Sequence, residues 1–356
     1  METSISRVYS EFSFHFVSVY QRLVQFYGWC MSRADPRVAK WPLMASPVPT
    51  LLIAMAYLTS VYYGRKFMAK RKPFSIRGIL IPYNLAMALL NLYIGLELAT
   101  TQHRKQYNWL CQPVNYSDDP DEIRIASALW WYYFSRLVEM MDTIFLVMRK
   151  KWQQLTFLHV YHHSTMFMLW WIGVKWVPGG SAFFAAMVNS FIHVAMYLYY
   201  ALAACGPKVQ KYLCWKKYLT ILQMAQFVSA LVLGLRALVY GCDFPLWMQY
   251  ALVVYMSSFL FLFGQYYRNA YLQKKQVCTV NQVDQADQAY RAGRVDRAYH
   301  PARQPLADLL DLVGLDHHLF QAFQVFRLYH LCHLHHPFHL LHLLHRARRH
   351  RRPRLH

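Results

Sequence analysis

The chain has 356 residues and a formal net charge of +21, and it is 56% hydrophobic and 17% aromatic. That composition argues against an ordinary soluble domain and fits a membrane protein with interfacial Trp and Tyr. The basic residues cluster between apolar runs, which argues against a nucleic-acid partner and for cytosolic membrane flanks.

The first 40 residues lack a compact apolar core behind a basic start, so no cleavable signal peptide is expected. Residues 12–29 are aromatic and mildly amphipathic, suited to the membrane interface. Seven apolar segments follow, at 47–64, 79–101, 127–148, 155–177, 181–203, 218–240 and 246–267. Each is near the length of about 20 residues that crosses the hydrocarbon of a bilayer. The third is the least apolar, because it carries Arg136, Glu139 and Asp142.

Lys and Arg in the connecting loops orient the spans. Loops 65–78, 149–154 and 204–217 are basic, the second through Arg149, Lys150 and Lys151, whereas the alternate loops are poorer. The basic set is therefore expected in the cytosol. This reads as a lumenal segment 1–46, a seven-span domain 47–268, and a cytosolic tail 269–356 rich in His, Leu and Arg. The tail is expected to be disordered. Its lone Cys332 among histidines lacks zinc-finger spacing.

Cys111 and Cys242 fall in expected lumenal loops, where disulfides persist, and are expected to pair. The alternative is two free thiols, since spacing alone cannot supply a distance. Asn115-Tyr116-Ser117 is a glycosylation sequon whose nearness to span ends disfavours occupancy.

The densest chemistry lies in Phe157 to Thr165, FLHVYHHST. His159, His162 and His163, at i, i+3 and i+4, share one helical face. Ionisable side chains inside a bilayer are expensive and turn to a cavity or partner. Neighbouring spans carry matching polar stripes: Arg136, Glu139 and Asp142; Asn189, His193, Tyr197 and Tyr200; and Thr220, Gln223 and Gln226. One stripe alone is read as interhelical hydrogen bonding. Four on adjacent spans imply a shared polar chamber open towards the cytosol.

A di-metal desaturase or hydroxylase would need more histidines than the four that the spans provide: His159, His162, His163 and His193. No metal or other cofactor is expected, and imidazole is read as nucleophile, general base and hydrogen-bond donor.

The motifs RLVEMMDT (136–143), HVYHH (159–163), NSFIHVAMYLYY (189–200) and TILQMAQ (220–226) run in order across spans 3–6. In them the chain resembles the very-long-chain fatty acid elongase family, the membrane 3-oxoacyl-CoA synthases. WPLMASPVPT (41–50) and the Lys175 to Gly180 loop look closest to its elongase-4 and elongase-8 types. Arg136 departs from the family's usual Lys, keeping charge but replacing a point charge by a planar fork.

The resemblance implies an all-α membrane fold enclosing an acyl-chain tunnel, in the endoplasmic reticulum. It implies condensation of a long, polyunsaturated acyl-CoA with malonyl-CoA to 3-oxoacyl-CoA, CoA and CO2. Membrane lipid, the other enzymes of the elongation cycle and further elongase copies are the implied partners. His162 is the expected nucleophile, with His193 facing it and His159 as competitor. His163 and Asp142 would orient the imidazoles. Asn189, Gln223 and Tyr197 would bind the thioester oxygen or malonyl carboxylate, with Glu139, Tyr200 and Gln226 nearby. Arg136, Lys150 and Lys151 would meet CoA phosphates at the cytosolic mouth. The rival readings are a seven-span receptor or transporter, and an inactive elongase-like partner.

Overall fold

In the computed structural model, residues 2–268 and 270 are described, and residues 2–16 by their helical path alone. The readings made for the tail fall outside them. The order is α1 (Glu2–Ser32), a short 3-10 turn (Pro36–Val38), α2 (Val48–Ala69), α3 (Arg77–Arg104), α4 (Pro120–Met148) and α5 (Phe157–Trp176). Then come α6 (Ala182–Ala204), the single-turn α7 (Pro207–Gln210), α8 (Lys216–Tyr240) and α9 (Leu246–Tyr267). The described residues form no strand.

The seven long helices from α2 onward coincide with the seven apolar segments of the sequence. Four of them, α3, α6, α8 and α9, are long and apolar enough to cross a membrane, so the protein is polytopic. The helices α4 and α5 carry the ionisable residues, and inward-turned polar side chains lower mean hydropathy without exposing charge to lipid.

Local chemistry sets the helix ends. Asp119 caps α4 by accepting from the backbone N–H groups of Asp121 and Glu122, with Pro120 at the first helical position. The Lys105 ammonium, 3.1 Å away, and those two N–H groups hold the Asp119 carboxyl below its ordinary value. Thr156 caps α5 through the His159 N–H. Gly241, with φ of 80°, ends α8 where a side chain would be strained.

Six helices close a ring. The most extensive pairing is α3 on α6, where Gly95 admits the Phe191 ring: a Cβ there would lie 3.0 Å from it. The helix α6 continues to α8, and α8 to α9. α9 returns to α5 through the Thr165–Tyr255 hydrogen bond of 2.6 Å and the Tyr161–Ser258 contact of 3.3 Å. α5 packs on α4, and α4 on α3. The helix α2 lies outside the ring, against α4 and α5.

One end of the ring is tied down by loops. Cys111 and Cys242 are joined as a disulfide, with Cα atoms 5.7 Å apart, linking the α3–α4 and α8–α9 loops. Gly180, with φ of 54°, lets the α5–α6 loop approach Gln112, whose backbone pairs with Ser181. The exposed Asn115 accepts from the Ser117 N–H. At the end of α5, Trp171, Lys175 and Trp176 donate to the backbone oxygens of Leu43, Met44 and Cys30, clamping the segment before α2.

The disulfide closes a loop with a sequence separation of 131 residues. Cys242→Ser should lower stability by about 2–4 kcal/mol, read as a fall in melting temperature in detergent. Non-reducing peptide mapping should find the 111–242 bridge in the parent; two alkylatable thiols there would contradict it.

Candidate active site

The centre of the ring is polar. Arg136 is fully enclosed, and its Nη2 lies 2.9 Å from Glu139 Oε1, one turn along α4. A guanidinium has five donors and must satisfy them where water is excluded. Nη2 also donates to Asn91 Oδ1 on α3 at 3.3 Å and to Ser135 Oγ at 3.1 Å. Nη1 donates to Asn189 Oδ1 on α6 at 3.4 Å. The Tyr132 ring lies beneath the cation, 4.2 Å from its centre.

His193, one turn beyond Asn189, places Nδ1 3.1 Å from Glu139 Oε1. An N–H there donates to the carboxylate, which selects the tautomer with Nε2 as acceptor. Arg136 Nη1 lies 3.4 Å from that nitrogen. Asn189 is oriented from two sides: Oδ1 accepts from Tyr132 Oη at 2.6 Å, and Nδ2 donates to Gln226 Oε1 on α8 at 3.2 Å.

The three histidines of α5 occupy unlike surroundings. His159 Nε2 is hydrogen-bonded to Thr143 Oγ1 at 2.8 Å, and Thr143 to Tyr57 Oη of α2 at 2.9 Å. Among the described residues, the His162 and His163 side chains form no hydrogen bond. Their neighbours are rings: His163 lies 4.4 Å from His159 and 5.2 Å from His162, and Phe259 of α9 lies 5.4 Å from His162. His163 is buried and His162 half-buried. His193 and Arg136 are within electrostatic reach of both rings.

Several of the expected site residues lie elsewhere, or beside other groups, than the sequence suggested. Asp142 does not touch an imidazole; it accepts from Tyr197 Oη at 2.8 Å, and Glu139 takes the place expected for it. Arg136 is interior rather than at a mouth. Lys150, at φ of 55°, donates to the Ala69 and Arg71 carbonyls and so ties the end of α2 to the α4–α5 loop. Lys151 is exposed. Among the described residues, Gln223 reaches only the Met196 sulfur, at 3.7 Å, while Gln226 one turn on meets Asn189. Tyr200 lies at the surface against Tyr197 and Tyr199.

Sequence reasoning missed Asn91, Tyr132 and Tyr57. The first carried a signal: Asn84 and Asn91 sit seven residues apart in an apolar helix, so they share a face. Among the described residues, no group of three His, Cys, Asp or Glu side chains is arranged to hold a metal ion.

Long helices enclosing a buried ion pair and four histidines define a polytopic membrane protein with an internal polar chamber. The chain belongs to the ELO: GNS1/SUR4 family, whose model matches residues 42–278. It is 53% identical to very long chain fatty acid elongase 4 of Mus musculus and of Homo sapiens, in each case over 71% of this chain and 81% of the relative. It is 45% identical to very long chain fatty acid elongase 5 of Tachysurus fulvidraco, over 71% of this chain and 86% of that protein.

Arg136→Ala leaves Glu139 buried without its cation, and should cost about 3–5 kcal/mol. Arg136→Lys keeps the charge but loses the fork to Asn91 and Asn189, so its loss should be smaller. Thermal unfolding of the purified variants checks the order; equal melting of Arg136→Ala and the parent would contradict it.

Proposed function

We propose that the chain condenses a long-chain, polyunsaturated acyl-CoA with malonyl-CoA, giving 3-oxoacyl-CoA, CoA and CO2, the first step of a fatty acid elongation cycle. Family membership and the relatives' names support elongation. The observation that carries the chemistry is the contrast among the histidines: His159 is committed to Thr143, whereas His162 is half-buried with no hydrogen bond to occupy its nitrogens.

In this reading a His162 nitrogen attacks the thioester carbonyl carbon, the C–S bond breaks, and an acyl-imidazole forms. The imidazole N–H proton passes to Nε2 of His193 and then to the departing CoA thiolate. Malonyl-CoA loses CO2, its enolate carbon attacks the acyl carbon, the C–N bond breaks, and the departing imidazolate takes up one proton from water, restoring neutral His162. Glu139 holds His193 in the accepting tautomer, and Asn189 and Arg136, beside His193 in the same network, are assigned to the oxyanion. No cofactor is invoked, and the acyl chain lies between the helices of the ring.

The same reading places the protein in the endoplasmic reticulum membrane as seven spans, with a lumenal N-terminus and a cytosolic C-terminus. It works there with the other enzymes of the cycle and with further elongase copies. The basic loops 65–78, 149–154 and 204–217 support that orientation and an anionic substrate arriving from the cytosol. Protease protection in microsomes should shield an N-terminal tag; its digestion in sealed vesicles would reverse the topology.

Brief incubation with acyl-CoA alone should release CoA in a burst of about one equivalent per active enzyme. The acyl group should map to the peptide containing His162, and His162→Ala should abolish the burst. A full burst in that variant, or an acyl group on cysteine, would remove the covalent mechanism and leave direct transfer between bound thioesters.

A further inference from the structure

The sequon Asn115-Tyr116-Ser117 has no part in the elongation chemistry. It is the one Asn-X-Ser/Thr sequence in the 356 residues. Its nearness to the expected ends of spans 2 and 3 disfavours its use. The structure removes that objection, because α3 and α4 continue well past the level at which the apolar surface ends.

Tyr93 of α3 and Trp130 and Trp131 of α4 form one aromatic cluster. Ring centres lie 6.4 Å apart for Tyr93–Trp131 and 5.1 Å apart for Trp130–Trp131. Trp and Tyr rings of this kind collect at the headgroup level of a membrane. Beyond them the two helices are joined by charges. Arg124 pairs with Glu97 at 2.5 Å, Arg104 with Asp121 at 2.6 Å, and Lys105 with Asp119 at 3.1 Å. Partly exposed ion pairs do not lie in hydrocarbon. Arg104 ends α3 eleven residues after Tyr93, and Pro120 opens α4 ten residues before Trp130. Both helices therefore rise about 15 Å above the aromatic level, and the 105–119 loop rides on that stalk.

The loop is fastened along its path, yet the sequon side chains stay outside. Tyr116 Oη donates to the Trp176 carbonyl at 3.0 Å, and the Ser117 carbonyl accepts from Arg37 Nη1 at 2.7 Å. Asn115, Tyr116, Ser117 and Asp118 are all exposed. Asn115 Oδ1 accepts from the Ser117 N–H at 3.0 Å, closing an Asx turn. Asn115 Nδ2 has one long contact, 3.5 Å to Glu122 Oε1, which leaves its second hydrogen free. Among the described residues, the Ser117 hydroxyl forms no hydrogen bond.

We propose that Asn115 carries an N-linked oligosaccharide on the lumenal side. The co-reactant is an oligosaccharide held on a lipid diphosphate. Asn115 Nδ2 bonds to the anomeric carbon of the first sugar, and the bond from that carbon to the diphosphate oxygen breaks. The lipid diphosphate leaves with the electron pair, and one Nδ2 proton goes to solvent. Oδ1 keeps its bond to the Ser117 N–H, so the Asx turn persists beneath the sugar. The proposal rests on the lumenal orientation of this loop in the reading above.

The full-length chain is expressed in eukaryotic cells, and its microsomes are treated with a glycosidase that cuts the Asn–sugar bond. The parent should drop by one discrete mass step, and peptide mapping should find aspartate at 115 after cleavage. Ser117→Ala keeps Asn115 and its turn and should abolish the step, as should Asn115→Gln. Ser117→Thr should retain it. An unglycosylated parent overturns the proposal, and so does a step that persists in Ser117→Ala or Asn115→Gln. Two further readouts separate the causes of an unglycosylated parent. An intact 111–242 bridge means that the loop faced the oxidising lumen and the glycan inference alone fails. Digestion of the loop from outside sealed vesicles means that the lumenal orientation fails with it.

Discussion

Everything in the ring is arranged around one buried ion pair, Arg136 with Glu139. Removing two charges from water costs several kcal/mol per ion, and their mutual attraction offsets this only when the remaining donors and lone pairs are satisfied. Satisfying them engages Asn91 on α3, and Asn189 and His193 on α6. The pair therefore sets the axial register of three helices at once. Gln226 extends the constraint to α8 through Asn189.

That register separates four imidazoles into different chemical states. His193 is held by a carboxylate, and His159 by a hydroxyl that is itself bonded to Tyr57 on α2. His162 and His163 are packed by rings instead. A nucleophile gains from such an arrangement, because its lone pair is not spent on the scaffold while its neighbours are oriented. α2, though outside the ring, reaches the site by this one chain of hydroxyls.

The two ends of the ring differ in construction. At the basic end, Lys150 fastens the α4–α5 loop to the carbonyls at the end of α2. At the other end a disulfide, a glycine in the left-handed region and the Ser181–Gln112 pairing draw the loops together.

The sequence by itself determined the long helices, which amphipathic faces are polar, and the residues that bear chemistry. Helices follow from local hydrogen bonding and apolar runs, and faces follow from a period of 3.6 residues. It was also enough to name Cys111 and Cys242 as candidates for a bond. The tertiary structure decided which groups on a shared face meet. Glu139 and Asp142 lie three residues apart on α4, yet Glu139 meets His193 and Asp142 meets Tyr197. Gln226 rather than Gln223 reaches Asn189 for the same reason. Those choices depend on the axial offset and rotation of one helix against the next, which local spacing does not encode. The role of Arg136 also needed all its neighbours: a charge read from sequence as a phosphate contact became the buried centre of the network once α3, α4 and α6 closed around it.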